Sequence, residues 1–295
     1  MKTIGAIAAA VFAVLICSPV FAASPQTVAS IAALRAGNFT NYPIVEVTGY
    51  YASTIVGGGV LSLDRSDTTT ADNGCTVFVD AASNRFKRLG STLSTLQCGA
   101  KADGSTNDTT AVQAALTSVA TGGVIDVPAG TGCYRILSNL TVTKAMTIKG
   151  TGCLTWATGS INGITVSASN VTISGITLNG SQHAGQVVGE AAIKAYGTFR
   201  AGLTPVNITN INISNVTTSN WGGFGISLGY VQGFSLVGNN ISDIAYAGIG
   251  TVSTINGNVS GNNIKNIGVG FTPGVTNAYG LYFSRETDDS SNLTS

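Results

Sequence analysis

From residue 131 to the end of this 295-residue chain there are only five acids, Glu190, Asp243, Glu286, Asp288 and Asp289. The last three stand in SRETDDSSNLTS, a polar stretch without strand pattern. Hydrolysis of a glycosidic bond calls for two carboxylates about 5 to 9.5 Å apart, so acids this sparse leave Glu190 and Asp243 as the only pair to consider. Elimination beside a uronate carboxylate asks for less: a base such as Lys, Arg, Tyr or His, and a cation to neutralise the carboxylate. His183, Glu190, Lys194, Tyr196 and Arg200 form the densest ionisable cluster of this half of the chain. A solvated loop explains the same cluster, and both readings stay open. Trp221 and Tyr246 follow strand-like segments, where their rings either offer a platform for a flat ligand or cover apolar surface. Calcium would serve as the neutralising cation, but no acidic cluster supplies a ligand set. No cofactor and no metal are therefore expected.

Five cysteines bear on the compartment. Cys17 lies in an N-terminal pattern of Lys2, an apolar run from Ala6 to Ile16, and small residues at Ala22 and Ala23. That is the order of an export signal, with residues 1–23 removed, and about 11 apolar residues are too few to span a bilayer. The expected location is secreted or periplasmic, with no membrane span after cleavage. In an oxidising compartment Cys75, Cys98, Cys133 and Cys153 permit three pairings. Neighbour pairing, Cys75 with Cys98 and Cys133 with Cys153, is preferred because the residues between the second pair make about one turn of the repeat described below. Buried free thiols remain the alternative. A net charge of +1 and only 9% charged residues give no electrostatic reason to expect nucleic acid as a partner.

The elements that must position these residues are mostly strands. Apolar residues make up 44% of the chain and Gly numbers 38, with β-branched runs between Gly- and Asn-rich turns. Residues 24–90 read as a small β-rich domain that opens with an amphipathic helix over 27–37. Its basic trio Arg85, Lys87 and Arg88 reads as a solvated strand end. One further helix is predicted after GAKADGSTND. Val112, Ala115, Leu116 and Val119 form one stripe, Asp108 is placed to cap the N-terminus, and Gly122-Gly123 ends it. So short a helix must cover something, and the open end of a β stack is the natural object.

Behind it the chain repeats. NVTISGITLNGS, VNITNINISNVTTSN, GFSLVGNNISDIAYAGIG and GNVSGNNIKNIGVG are variants of one unit, with Val216, Ile241 and Ile264 lying 25 and 23 residues apart. Asn215, Asn240 and Asn263 are expected to stack into an internal amide ladder, with Gly225, Gly250 and Gly280 in a second register. Short alternating runs at this period predict a parallel β-helix over 91–295. The gap from Ile176 to Val216 exceeds one coil and marks an insertion at about 182 to 203.

The stretch from GYYASTIVGGGVLSLD to NRFKRL resembles the small β-domain that precedes the β-helix in phage tailspikes. CGAKADGSTNDTTAVQAAL, GGVIDVPAGTGCYRI and TVTKAMTIKGTG resemble the cap and first coils of the pectate-lyase-like superfamily. Ala102 and Asn107 depart from the pattern, where relatives often carry Gly and Asp. The Gly-His-Gly segment and paired aspartates of polygalacturonase-type hydrolases do not occur. The resemblance implies an all-β chain, a right-handed parallel β-helix with a short N-terminal capping helix behind a small β-domain. It implies polysaccharide as partner and a homotrimer as the assembly. The function expected is lyase- or hydrolase-type cleavage of an acidic polysaccharide, against a non-catalytic carbohydrate-binding adhesin or surface fibre. Asp243, Glu190 and Lys194 are the candidate catalytic residues and Arg200, Trp221 and Tyr246 the candidate substrate contacts, all gathered on one groove. Polar sequence after Phe283 leaves the last coil without a visible cap, so the solenoid is expected to continue in a longer protein or to meet another chain.

Overall fold

The computed structural model describes residues 25–157, 162–180, 189–198, 207–270 and 277–284. The expected export signal, His183, Arg200 and the acids of the C-terminal tail lie outside them. No helix among the described residues is long and apolar enough to cross a membrane.

The first 65 or so described residues form a five-stranded sheet, with Gln26–Ser30 parallel to Ile44–Gly49 and the other pairings antiparallel. The amphipathic segment expected to be helical over 27–37 is split. Gln26–Ser30 is a strand, and only Ile31–Ala36 is helical, with the Ser30 hydroxyl accepting from Ala33 N. Alternation in TVAS allows edge pairing with Ile44–Gly49, and that pairing wins over the helical period. Ile31, Leu34, Val45, Val47, Leu61, Phe78 and Phe86 make its core.

The basic trio is less solvated than its pattern suggested. Lys87 bridges Asp64 and Asp67 at 2.8 and 2.7 Å. Arg88 is drawn inward, donating to the carbonyls of Cys75 and Gly58 with its guanidinium 5.7 Å from the Phe78 ring centroid. Burial pushes its pKa down to about 10.

Beyond Leu89 the chain winds into a β-helix of three parallel walls. Wall 1 runs from Thr92–Ser94 to Ile255–Ser260, wall 2 from Tyr134–Ile136 to Asn263–Ile267, and wall 3 from Leu140–Val142 to Tyr279–Ser284. Successive coils stack apolar side chains on one another, as in Met146 on Val171 and Ile148 on Ile173, then Ile211 and Ile213. These columns are buried. Parallel strands with their crossovers in one sense give the right-handed winding expected of such connections.

The helix Thr109–Ser118 lies against the first strands of walls 2 and 3, with Val112, Ala115, Leu116 and Val119 buried. It covers apolar interior and strand edges that the stack would otherwise leave open. Asp108 does not cap it through its side chain. The carboxylate instead accepts from Lys101 N at 2.7 Å and Ala102 N at 2.9 Å, stapling the turn before the helix. Ala102, at φ +50°, occupies the left-handed position where Gly is the easier residue.

Cys75 is bonded to Cys98 and Cys133 to Cys153, with Cα atoms 4.1 and 4.6 Å apart. The first ties the small sheet to the β-helix, and the second ties neighbouring coils of wall 2.

Two registers differ from the sequence reading. Thr218, Ile241 and Ile264 face one another, so the repeat here is a constant 23 residues. Val216 sits at a corner, one position after left-handed Asn215 at φ +53°, and its apolar character imitates the strand marker. The buried amide ladder is accordingly Asn239 on Asn262. Asn239 Oδ1 accepts from Val216 N, and its Nδ2 donates to Ile213 O and Asn262 Oδ1. Asn240 and Asn263 bond to each other on the outer surface. The stacked glycines are Gly225, Gly248 and Gly280, whereas Gly250 stands opposite Ser227.

Candidate functional site

The long coil does not hold one insertion. Strand Ala191–Tyr196 belongs to wall 3 and divides the extra residues into two groups, before and after it. The coil spans 40 residues where its successor spans 23. Lys194 and Tyr196 are therefore fixed on a strand, where neighbouring coils hold them rigidly. Walls 2 and 3 meet at the corner that Gly222-Gly223 and Ala245-Tyr246 form in the next two coils.

Three columns of outward side chains run up wall 3 from this corner. Ala191, Phe224, Ala247 and Tyr279 stand in the first, Lys194, Ser227, Gly250 and Tyr282 in the second, and Tyr196 and Gly229 in the third. Ala191, Phe224 and Ala247 are buried beneath Tyr246, Tyr279 and Tyr282. The four rings pack edge to face or tilted, with centroids 5.0 to 6.4 Å apart. Burial, followed by the neighbouring Tyr282, raises the pKa of Tyr246. Two rings lie on bare backbone, Tyr196 over Gly229 and Phe224 over Gly250, and a Cβ at either glycine would collide with the ring.

Beside the rings is a polar group of three. Lys194 Nζ donates to Gly189 O at 3.0 Å and stands 5.1 Å from the Tyr196 ring centroid. Tyr196 Oη is 3.0 Å from Ser227 Oγ.

Of the residues singled out in the sequence, Lys194 and Tyr246 lie on this surface. Glu190 immediately precedes the wall 3 strand and is 5% exposed, and desolvation raises its carboxyl pKa. Asp243 is on wall 2, half-buried, at φ +57° in an outer ladder with Asn220 below and Asn266 above. Asn266 Nδ2 donates to Asp243 Oδ1 at 3.1 Å, and hydrogen bonds from Ser242 and Asn266 lower the carboxyl pKa. Glu190 and Asp243 are two coils apart, about 10 Å along the axis alone, and stand on different walls. The single groove expected to gather them is not formed.

Trp221 is not a platform either. It is 1% exposed, inside the coil, and its ring meets Trp156 edge-on at 5.4 Å. Its equivalent one coil later is Ile244, an inward position that the sequence reading missed by two residues. Phe224, Tyr279, Tyr282 and Ser227 went unnoticed in the sequence. The turn after Ile267 separates Ala247 from Tyr279 by 32 residues and hides the column. No group of three or more His, Cys, Asp or Glu side chains among the described residues could hold a metal ion.

Residues 27–91 match the family model of the phage tail protein small four-stranded beta-sheet domain. Residues 93–167 match that of rhamnogalacturonase A/epimerase, pectate lyase-like. No curated protein sequence matches the chain. Among solved structures, it superposes on tailspike protein 2 of an Escherichia coli O157:H7 bacteriophage with TM-score 0.58 at 17% identity, covering 89% of this chain and 40% of that one. The tailspike of Acinetobacter baumannii bacteriophage Fri1, described as a capsular polysaccharide depolymerase, gives 0.54 at 16% over 89% of this chain and 59% of that one. The tailspike of Acinetobacter phage vB_ApiP_P1 gives 0.51 at 16% over 88% and 59%. The chain thus spans less than two thirds of the length of these tailspikes. It resembles the pectate-lyase-like proteins in sequence through its cap and first coils, and its fold is the tailspike-type right-handed parallel β-helix behind a small phage-tail β-domain.

Proposed function

We propose that this chain is an exported protein that acts on an acidic polysaccharide along the outer face of wall 3. The observation that carries the reading is the outward cluster of Phe224, Tyr246, Tyr279 and Tyr282 on a floor of Ala and Gly, with Lys194 at its side. Ring faces and edges suit the apolar faces of pyranoses, and an ammonium group suits a uronate. Coils every 4.8 Å or so repeat the surface along the axis, as an extended polymer requires.

For cleavage, elimination fits better than hydrolysis. Glu190 is buried, and Asp243 is bonded into an outer ladder two coils away on another wall, so the two are not presented to one bond as a hydrolytic carboxylate pair. Lys194, with Tyr196 beside it, supplies a cation and a proton acceptor to the same surface. The burial of Glu190 and the laddering of Asp243 favour, as the second reading, a glycan-binding fibre that cleaves nothing. Assembly of three chains, as the tailspike resemblance implies, belongs to the same proposal and is read by light scattering.

A panel of acidic polysaccharides incubated with the protein tests the proposal. Unsaturated, ultraviolet-absorbing products are expected, abolished in Lys194→Ala. Reducing ends without that absorbance would transfer the chemistry to hydrolysis. Retention on a polysaccharide column with no product would establish the binding reading, and no retention at all would overturn the proposal.

A further inference from the structure

Where the small sheet meets the start of the β-helix, the structure holds a cavity of about 380 Å³ to which wall 3 contributes no residue. Its lining comes chiefly from two segments. One is the turn that carries Tyr50, Tyr51 and Val56, and the other is the run that carries Leu96, Ala100 and Lys101. Both segments are pinned. Tyr51 Oη donates to Gly99 O at 2.7 Å, and Tyr50 Oη donates to Gly74 O at 3.1 Å. The Tyr50 ring lies on Gly99, where a Cβ would collide with it, and the two tyrosine rings meet edge to face at 5.0 Å. Thr54 N and Thr54 Oγ1 both donate to Tyr51 O and close the turn. Asp108 takes the backbone N–H of Lys101 at 2.7 Å. Both phenols are thus spent on backbone carbonyls, and the walls of the cavity are set by the chain itself.

One charge in this cavity is uncommitted. The ion pairs among the described residues are made by Arg35 and Lys87, and Lys101 joins none of them. Its Nζ stands 5.1 Å from the Tyr51 ring centroid, where the ring face holds an ammonium group. The other charge is Asp103, whose oxygens accept from the N–H and hydroxyl groups of Ser105 and Thr106 in its own turn. These bonds, from Thr106 first and then Ser105, hold its carboxyl well below the usual carboxylate range. Asp103 therefore stays an anion without turning to Lys101. We infer that this cavity is a binding site for a small monocarboxylate built on a single six-membered ring. The carboxylate pairs with Lys101 Nζ, and the ring packs against Val56, Leu96 and Ala100. Size sets the limit of one ring, since 380 Å³ is near the lower end of small-molecule sites, about 300–1,000 Å³. Charge sets the limit of one carboxylate, because Asp103 repels a second anion. A charge-assisted bond to the ammonium is stronger than a neutral one, and pre-set walls leave few side chains to order on binding.

Two sources offer this chemistry, an acidic monosaccharide and an aromatic acid. D-Galacturonate and 4-hydroxybenzoate represent them, with D-galactose and 4-hydroxybenzamide as their neutral counterparts. Each is titrated into the full chain by calorimetry, and into protein with labelled methyl groups, where Val56, Leu96 and Ala100 report the cavity. At least one of the two acids is expected to bind below about 10 mM and to shift those three methyl signals. Binding of one acid alone supports the site and names its source. The neutral counterpart is expected to bind at least about tenfold more weakly than its acid, and Lys101→Met to weaken the acid by about the same factor. No shift of these signals with either acid would overturn the inference. Equal binding of an acid and its neutral counterpart, or unchanged affinity in Lys101→Met, would overturn it as well. The neutral comparison uses the wild-type protein, so it decides the matter even where Lys101→Met fails to fold. Polysaccharide on wall 3 has no part in these readouts, so the two proposals stand or fall separately.

Discussion

Lys87 holds Asp64 and Asp67 together on the small sheet, and both carboxyls respond. The Lys87 ammonium, then the Ser66 hydroxyl, lowers Asp64 to about 2, and Lys87 with Thr70 carries Asp67 lower still. A carboxyl whose folded pKa is depressed contributes stability above its unfolded pKa, about 3.9, and loses it as the pH falls through the folded value. The small sheet is therefore expected to loosen between about pH 4 and 2. Near-ultraviolet circular dichroism of its Tyr and Phe residues should show the melting temperature falling across that window, with a flatter profile in Lys87→Met. Glu190 has the opposite sign. Burial raises its carboxyl, so its contribution is full below the ordinary Glu value and fades as pH rises through the folded one. Glu190→Gln should remove that part of the alkaline decline in thermal melts. Asp243 was legible as an acid in a repeat, but its neighbours were not. Only the 23-residue register shows that it lies between Asn220 and Asn266, at a left-handed φ that Asn and Asp tolerate better than most residues. Asp243→Asn should therefore fold with unchanged stability, and any loss of cleavage in that variant would report chemistry alone.

Among the elements, the buried amide ladder has the clearest consequence. Asn239 is 1% exposed and satisfies Val216 N, Ile213 O and Asn262 at once. Asn239→Ala leaves those groups unmatched in a dry interior, at about 1–3 kcal/mol for each orphaned group. A loss of roughly 2–5 kcal/mol in urea unfolding is expected, against less than about 1 kcal/mol for Asn263→Ala on the surface. The sequence showed that asparagines stack but placed the internal ladder one position late. In Asn239-Asn240 and Asn262-Asn263 two identical side chains are adjacent, and alternation alone does not say which one points inward. The left-handed corner at Asn215 settles the phase, and such a corner leaves no mark beyond Asn itself. The capping helix was legible because its stripe is simple. The role of Asp108 was not, since N-cap and loop-staple aspartates share the same sequence position.

On the scale of the whole molecule, the small sheet and the β-helix are held by a disulfide and by hydrogen bonds that include Tyr51 Oη to Gly99 O and Gln97 Nε2 to Gly58 O. The Cys75–Cys98 disulfide crosses between them, and the Arg88 guanidinium reaches the carbonyls of Cys75, Gly58 and Gln97. Closing a loop of this size is worth about 3 kcal/mol. Cys75→Ala with Cys98→Ala should separate one melting transition into two in calorimetry, the small sheet going first, while Cys133→Ala with Cys153→Ala lowers the β-helix transition. The fold class and the position of the cap were legible from period and pattern. The surface on wall 3 was not, because rings that meet there come from coils of unequal length. The outer ladders have one more effect, outside folding altogether. A polar corner or outward Asn, an inward Leu, Ile or Val, and an outward Ser or Thr spell Asn-X-Ser/Thr, and the coils write it at Asn139, Asn170, Asn207, Asn212, Asn215, Asn240 and Asn258. That triplet is the acceptor for N-linked glycosylation. Passed through a eukaryotic secretory pathway, the chain should emerge as a family of heavier species, with bulky oligosaccharides on wall 1 at exposed Asn212 and Asn258. Endoglycosidase treatment should collapse them to a single mass.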